Sequence, residues 1–486
     1  MKNPISQIWN KYRSMHIEAK ASIWYTICNL LQKGIAFIVV PIYVRVLTTA
    51  EYGRYTTFQT WKDILIIFAS LNLYCGVFTK AMVDLKTSEE RDRYTSSMQG
   101  LTLLISSIFF VVYIAASGLW NKLLDTNTVN MVLMFAYFVM FPSFNFWSVR
   151  KKVENKYVSM VIITLLVSVA TPILSLILLY QTGMREDALI RGFLVTQITV
   201  GAVFFVYQFI RGKCIFNKNY WKKAVSYNIP LIPHYLSLMI LGQADRIMIK
   251  KICGDGDAGI YSLAYSISTL MNVFIAAVNS AMVPWVYNKM RLKEYRRIYE
   301  ITRPVLIMMG GFTLLLTICA PEIIGIVGTK EYMSSIWVIP AVSLGIFYTF
   351  CYNLYCNVEF YYSKTKYVMV ASSVGAVLNI LLNAVFIPLY GFIAAGYTTM
   401  VCYLVFMIVH FAFMKHVCKI ENIDEPIFDN KFILFVSVML SIICLSIQFA
   451  YPYLWLRIIL MALLCVIAYI KRDVIKVIIS MKKNSK

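Results

Sequence analysis

The sequence predicts an all-α polytopic membrane protein of about fourteen transmembrane helices, built as two parallel six-helix repeats plus two C-terminal helices. Three observations predict it: the composition, the run lengths and an internal repeat. Of 486 residues, 59% are hydrophobic and 14% charged, yet the formal charge is +22. Mean hydropathy is +0.68. A disordered chain is poorer in apolar residues, and a soluble protein cannot hide so much apolar surface. A nucleic-acid binder would carry far more charge overall, so no nucleic-acid partner is expected. The basic excess belongs in the loops of a membrane protein.

A spanning helix needs about 20 mostly apolar residues. Fourteen runs satisfy that. The first six are Ser22–Leu47, Thr56–Phe78, Ser97–Trp120, Val129–Val149, Tyr157–Tyr180 and Leu189–Ile210. The next six are Ile229–Ile249, Leu263–Val286, Pro304–Val327, Ile336–Val358, Tyr367–Ile387 and Phe392–Met414. Phe432–Ala450 and Tyr453–Ile470 complete the set. The domain reading follows: a cytoplasmic N-terminus at 1–21, an N-lobe at 22–223 and a C-lobe at 224–416. An extra helical pair occupies 417–470, and a basic cytoplasmic tail 471–486. Residues 1–21 are basic and polar, and no small-residue cleavage site follows the first apolar run, so that run reads as a retained span rather than a signal peptide. The 11 cysteines are odd in number and scattered, with no CxxC pair. They read as small apolar filler, neither a disulfide framework nor a metal site.

The repeat carries the architecture. Arg45-Val-Leu-Thr-Thr-Ala-Glu51-Tyr-Gly53-Arg-Tyr55 is echoed at an offset of 206 by Lys251-Ile-Cys-Gly-Asp-Gly-Asp257-Ala-Gly259-Ile-Tyr261. Lys156-Tyr157-Val158 is echoed at 210 by Lys366-Tyr367-Val368, and Leu179-Tyr180 by Leu389-Tyr390. The period holds six spans, an even number, so both copies enter the membrane from one side and are parallel repeats.

Loop charge gives orientation. With fourteen spans the termini share a side, and 34 of the 46 Lys and Arg lie on it against nine opposite. Both termini are therefore expected in the cytoplasm.

Lys33, Lys62 and Arg246 remain inside spans, with Asp63 and Asp245. Intramembrane charge costs about 2.5–3.5 kcal/mol on insertion scales and marks functional sites. Lys33 leads. Ser22, Thr26, Asn29 and Lys33 recur at helical spacing, with Gln32 beside them, a polar stripe suited to a water-filled cavity. Adjacent Lys62 and Asp63 point different ways and need not pair. Span seven carries Asp245 and Arg246 together with Pro230 and Pro233, which suit a kink or gating hinge. Its His234 reads as a hydrogen-bonded histidine. Asn272, Asn279, Glu359, Asn379 and Asn383 are weaker candidates, since amides commonly bond between helices. No GxxxxGK[ST], H-E-x-x-H or G-x-S-x-G motif occurs, so no ATPase or hydrolase is expected and the protein reads as a non-enzyme.

Several stretches resemble Wzx-type polysaccharide flippases of the multidrug/oligosaccharidyl-lipid/polysaccharide exporter superfamily. They are Arg45–Tyr55, Ala244-Asp-Arg-Ile-Met-Ile249 with Gly259-Ile-Tyr-Ser262, and Ala320-Pro-Glu-Ile-Ile-Gly-Ile-Val-Gly328. Leu378-Asn-Ile-Leu-Leu-Asn383 with Ile387-Pro-Leu-Tyr-Gly391 completes the set. The resemblance implies two lobes around a central cavity, working by alternating access in a bacterial inner membrane. It implies an undecaprenyl-diphosphate-linked oligosaccharide, a polysaccharide repeat unit, flipped from the cytoplasmic to the outer leaflet. Partners would be that lipid-linked glycan, membrane lipid and other polysaccharide-assembly proteins. No cofactor is expected; a coupling H⁺ or Na⁺ stays open. Alternatives are a lipid II-type flippase, a cation-coupled multidrug exporter of the same fold, a membrane glycosyltransferase or polymerase, and a scaffold without transport. A drug exporter would want acidic cavity groups, and a transferase would want paired carboxylates in a sizeable external loop.

Overall fold

The computed structural model describes residues 13–470, and among them there are helices and no strand. The first part of the basic N-terminus and the tail at 471–486 lie outside the described residues, with the bases counted there. The first ten α-helices are α1 (Ile17–Val46), α2 (Thr49–Ser70), α3 (Val77–Asp84), α4 (Ser88–Ala115), α5 (Ser117–Leu124), α6 (Thr128–Val153), α7 (Tyr157–Thr182), α8 (Glu186–Gly212), α9 (Lys218–Asn228) and α10 (Ile232–Cys253). The rest are α11 (Asp255–Ser268), α12 (Met271–Arg291), α13 (Tyr295–Ile318), α14 (Ala320–Val327), α15 (Ile339–Tyr361), α16 (Thr365–Tyr390), α17 (Phe392–Ile420), α18 (Asn430–Ile447) and α19 (Leu454–Ile470).

Among the described residues, twelve segments are long and apolar enough to cross a membrane. Two of the expected spans fall outside that set for physical reasons. Helix α2 carries Glu51, Arg54, Lys62 and Asp63, and α19 has only 17 residues. Restoring both gives one segment for each of the fourteen spans. Many Val, Ile and Leu side chains stand exposed on these helices, among them Ile38, Val111, Leu166, Val203, Leu381 and Leu434. On a multi-pass membrane protein that surface meets lipid, which has no water to exclude.

Several boundaries differ from the sequence reading; span eight, expected from Leu263, begins at Asp255 and is broken between α11 and α12, and three others show the causes. Span two was expected to run to Phe78, but α2 stops at Ser70. Leu71, Asn72 and Gly76 take positive φ, and the Ser70 hydroxyl accepts from the Asn72 amide. Span three was expected from Ser97, but α4 begins at Ser88, where Thr87 and Glu90 form a reciprocal capping box, worth about 1 kcal/mol. Span nine breaks at Cys319, and Pro321 opens the short α14, a place where the missing amide costs nothing.

The described residues pack as two compact units. One comprises the chain up to Val39 together with Thr57–Leu236; the other comprises Val40–Thr56 and the chain from Ser237. In the first unit α8 is the hub. Its Gly192, Gly201 and Gly212 let α7, α6 and α4 approach backbone to backbone.

In the second unit α15 is enclosed along most of its length, packed against α13, α16, α17 and α18. There the two copies of the repeated motif meet. A Cβ on Gly53 would lie 1.9 Å from the Asp255 carbonyl oxygen, and one on Gly259 would lie 2.0 Å from that of Thr49. Positions 49 and 255, like 53 and 259, differ by the repeat offset, so the contact is reciprocal about a local two-fold. Thr56 and Ser262, again one offset apart, share a hydrogen bond of 2.9 Å. Arg54 pairs with Asp255 at 3.2 Å.

The C-terminal pair docks on α13 and α15. Arg303 holds Asp429 at 2.6 Å, and Asp429 caps α18 through the Phe432 amide. The Tyr451 hydroxyl donates to the Thr317 carbonyl at 2.9 Å.

Candidate functional site

The polar stripe of α1 separates into two faces. Cys28 is buried against Trp147, Met160, Val161 and Phe204. Gln32, one turn on, donates to the Ser168 hydroxyl of α7 at 3.3 Å. Lys33 lies about 140° around the helix from Cys28. Asn29 and Lys33 are both exposed, and among the described residues no hydrogen bond or ion pair engages either of them. Thr26 folds back on the Ser22 carbonyl at 2.9 Å, so it is satisfied within its own helix. What remains at mid-span is a free ammonium beside a free amide. Hydrocarbon would penalise both.

Lys62 and Asp63 do pair, at 3.2 Å, although neighbours on a helix point different ways. Burial drives it. Lys62 is 5% exposed and lies over the rings of Phe193 at 4.1 Å and Tyr137 at 5.4 Å. The aromatic cradle bends the long aliphatic stem towards the adjacent carboxylate. Lys62 is thus enclosed, unlike Lys33.

Asp245 is closely partnered within the second unit. It is 1% exposed and accepts from Tyr261 at 2.5 Å, Thr399 at 2.7 Å and Asn383 at 2.7 Å. Asn379 donates to Thr399 at 3.0 Å, and Thr398 donates to Asn383. Four helices, α10, α11, α16 and α17, contribute. A carboxylate, two amides and three hydroxyls thereby converge in one dry place, a set of oxygen donors of the kind that hard cations use. Arg246, its neighbour, turns away. Its guanidinium lies 4.8 Å from the Tyr265 ring centre, and its Nε is buried with no hydrogen-bond partner.

Pro230 lies in a 3₁₀ turn, Ile229–Leu231, between α9 and α10, and Pro233 falls in the first turn of α10. The turn interrupts the α-helical ladder at the two prolines.

Sequence reading missed Tyr261, Thr398 and Thr399. Asn379 and Asn383 were visible as an i, i+4 amide pair on one helix face. The tyrosine and threonines carry no charge, and only the tertiary fold brings them to Asp245.

Outside the spans, α3 and α9 border a cavity of about 910 Å³ lined by Lys80, Asp84, Tyr94, Lys222, Lys223 and Tyr227. An ion cluster ties α4, α6 and α8 together: Arg150 bonds Asp92, and bonds Glu154 at 2.8 Å, while Arg211 reaches Asp92 at 3.0 Å. Lys156 bonds Glu154 at 2.9 Å. Burial opposes charge on Glu154, but Arg150 and Lys156 outweigh it and hold the carboxyl at about 2.

The described residues thus form a multi-pass helical membrane protein with a mid-span cation that none of them engages and a buried acid wrapped in oxygen donors. Known proteins supply the family. Residues 19–290 match the polysaccharide biosynthesis protein family, and residues 230–385 match the MatE family. The chain belongs to the polysaccharide biosynthesis protein family. Among curated relatives, the Lsg locus putative protein 1 of Haemophilus influenzae is 22% identical over 384 residues, 74% of this chain and 89% of that one. An uncharacterized membrane protein of the same organism is 25% identical over 372 residues, 71% of this chain and 85% of its own. Among solved structures, the lipid II flippase MurJ in an inward closed conformation superposes with a TM-score of 0.71 at 14% identity, covering 93% of this chain and all of that one. An inward-facing multidrug resistance MATE family transporter of the MOP superfamily gives 0.60 at 12% identity, covering 82% of this chain and 96% of its own. These likenesses establish the fold.

Proposed function

We propose that the protein flips an undecaprenyl-diphosphate-linked oligosaccharide, a polysaccharide repeat unit, from the cytoplasmic to the outer leaflet of a bacterial inner membrane by alternating access. The observation that carries this reading is Lys33: exposed, without a partner among the described residues, and halfway along a spanning helix. A cation so placed invites an anionic passenger. Only the diphosphate and sugars must cross hydrocarbon, while the polyprenyl tail can stay in lipid. Lys33, with Asn29 beside it, replaces part of the water that the diphosphate sheds. Lys80, Lys222 and Lys223 around the α3–α9 cavity supply a basic entrance on the side where loop charge places the cytoplasm. The membrane potential favours outward movement of an anion by about 2.3 kcal/mol per charge per 100 mV, so roughly 4–5 kcal/mol for two charges. Lys62 and Arg246 are held by aromatic rings and act on the passenger less directly.

Asp245 with Asn379, Asn383, Thr398 and Thr399 is the place for a coupling H⁺ or Na⁺. An ion there would replace the hydrogen bonds that now hold the carboxylate, and so would bias the packing of four helices. Pro230 and Pro233 supply the bend at the start of α10.

One observation favours a second reading, a cation-coupled multidrug exporter: the match of residues 230–385 to the MatE family. A cationic drug needs an accessible acid, whereas Asp245 is sealed by its own donors.

The test is genetic. In a strain lacking the protein, the wild-type chain restores surface glycan and Lys33→Ala does not, at equal membrane abundance. Normal surface glycan with Lys33→Ala, or restored resistance to toxic cations without glycan, would sink the reading.

A further inference from the structure

We propose that Cys356, Glu359 and His410 form a metal site of the zinc class, separate from the transport residues, that clamps α15 to α17. Cys356 and Glu359 are three residues apart on α15, hence on one face, and His410 faces them from α17. One donor atom from each residue lies within 4.8 Å of the other two. Glu359 Oε1 and His410 Nδ1 are 2.8 Å apart. Zinc bonds of about 2.0–2.3 Å set donor atoms roughly 3.3–3.8 Å from one another, so a sub-ångström spreading of the pair and closure on the thiol admits the ion.

Two further observations point to a ligand. Glu359 and His410 are wholly buried, yet Glu359 Oε2 and His410 Nε2 have no hydrogen-bond partner. No protonation state of the pair cures this. A neutral imidazole donating from Nδ1 leaves Nε2 as a bare acceptor, and an imidazolium leaves an unpaired N–H. A metal on Nδ1 can take both carboxylate oxygens, which removes the orphan on Glu359 though not the one on His410 Nε2, and makes four donor atoms with Sγ.

Charge is compatible as well: a thiolate and a carboxylate neutralise a dication in a dry interior. Tyr352 stacks on the imidazole at 5.3 Å and Phe406 meets it edge-on at 4.6 Å, fixing the ring and excluding water. The sulfur and nitrogen donors select zinc-class ions over magnesium or calcium. The sequence reading expected no metal because cysteine spacing alone carries no trace of a ligand set drawn from two helices.

The experiment uses the full chain in detergent, purified through a tag without histidine. Zinc content is measured by mass spectrometry, and Co²⁺ is then exchanged in as a probe. The expected result is one equivalent of metal and a sulfur-to-cobalt charge-transfer absorption. That absorption should vanish in Cys356→Ser, weaken at least tenfold in His410→Gln, and persist in Cys465→Ser, which removes an exposed thiol. Should Cys356→Ser fail to fold, the wild-type cobalt spectrum decides alone. Metal bound without that absorption, an absorption indifferent to Cys356 and His410, or no metal uptake from micromolar Zn²⁺ overturns the proposal. The last result would mean that the pair shares a proton instead.

Discussion

At the residue scale, Lys33 and Asp245 show opposite solutions to intramembrane charge. Lys33 is exposed and unengaged by the described residues, while Asp245 is wrapped in three hydrogen bonds. Removing each should therefore do different things. Lys33→Ala should lower flipping by at least about tenfold, near 1.4 kcal/mol in the barrier, without loss of thermal stability; Lys33→Arg, which keeps the charge, should retain most of the activity. Initial rates and melting curves in detergent check both. Asp245→Asn keeps the shape of the network and removes its charge. Flipping in this variant should no longer respond to an imposed Na⁺ or proton gradient; a wild-type gradient response in Asp245→Asn would dismiss Asp245 as the coupling group. Lys33 stands out in the sequence as a lone charge in an apolar run. The partners of Asp245 were not, since Thr399 lies 154 residues away and carries nothing unusual for a helix.

At the element scale, the spans themselves were readable from run length, and their ends were not. The stop of α2 at Ser70 depends on left-handed backbone at Leu71 and Asn72; asparagine tolerates that conformation, but Leu71 gives no sequence sign of it. The early start of α4 rests on a capping box hidden in a charged stretch. The glycine echo, by contrast, was visible as a repeat, and the structure gives its cause: α2 and α11 cross with no room for a side chain. Gly53→Leu or Gly259→Leu forces those backbones apart, a cost of about 1–3 kcal/mol or more. The expected outcome is a lower melting temperature and poorer yield of folded protein; unchanged melting would contradict the contact. The α6–α7 junction should respond to pH. Glu154 is held at about 2, below its usual 4.5, so its ion pairs contribute fully above pH 4.5 and are lost as pH falls towards 2. Hydrogen exchange at the junction should rise over that window in the wild type, and Glu154→Gln should flatten the response.

At the scale of the whole molecule, most of the +22 charge follows the loops. Bases number 34 on one side and nine on the other, which predicts both termini in the cytoplasm. A fluorescent protein fused after Lys486 should fluoresce, and alkaline phosphatase at the same place should be inactive; the reverse pattern would invert the topology. Of the three cations inside spans, aromatic rings hold Lys62 and Arg246, while no described residue engages Lys33. The most direct test is reconstitution. Purified protein in liposomes, given polyprenyl-diphosphate-linked oligosaccharide on one leaflet, should expose the headgroup on the other leaflet at a rate set by Lys33. Rapid flipping by the wild type with near-background flipping by Lys33→Ala, at matched protein and intact fold, is the predicted result. Equal rates for the two proteins would contradict the account.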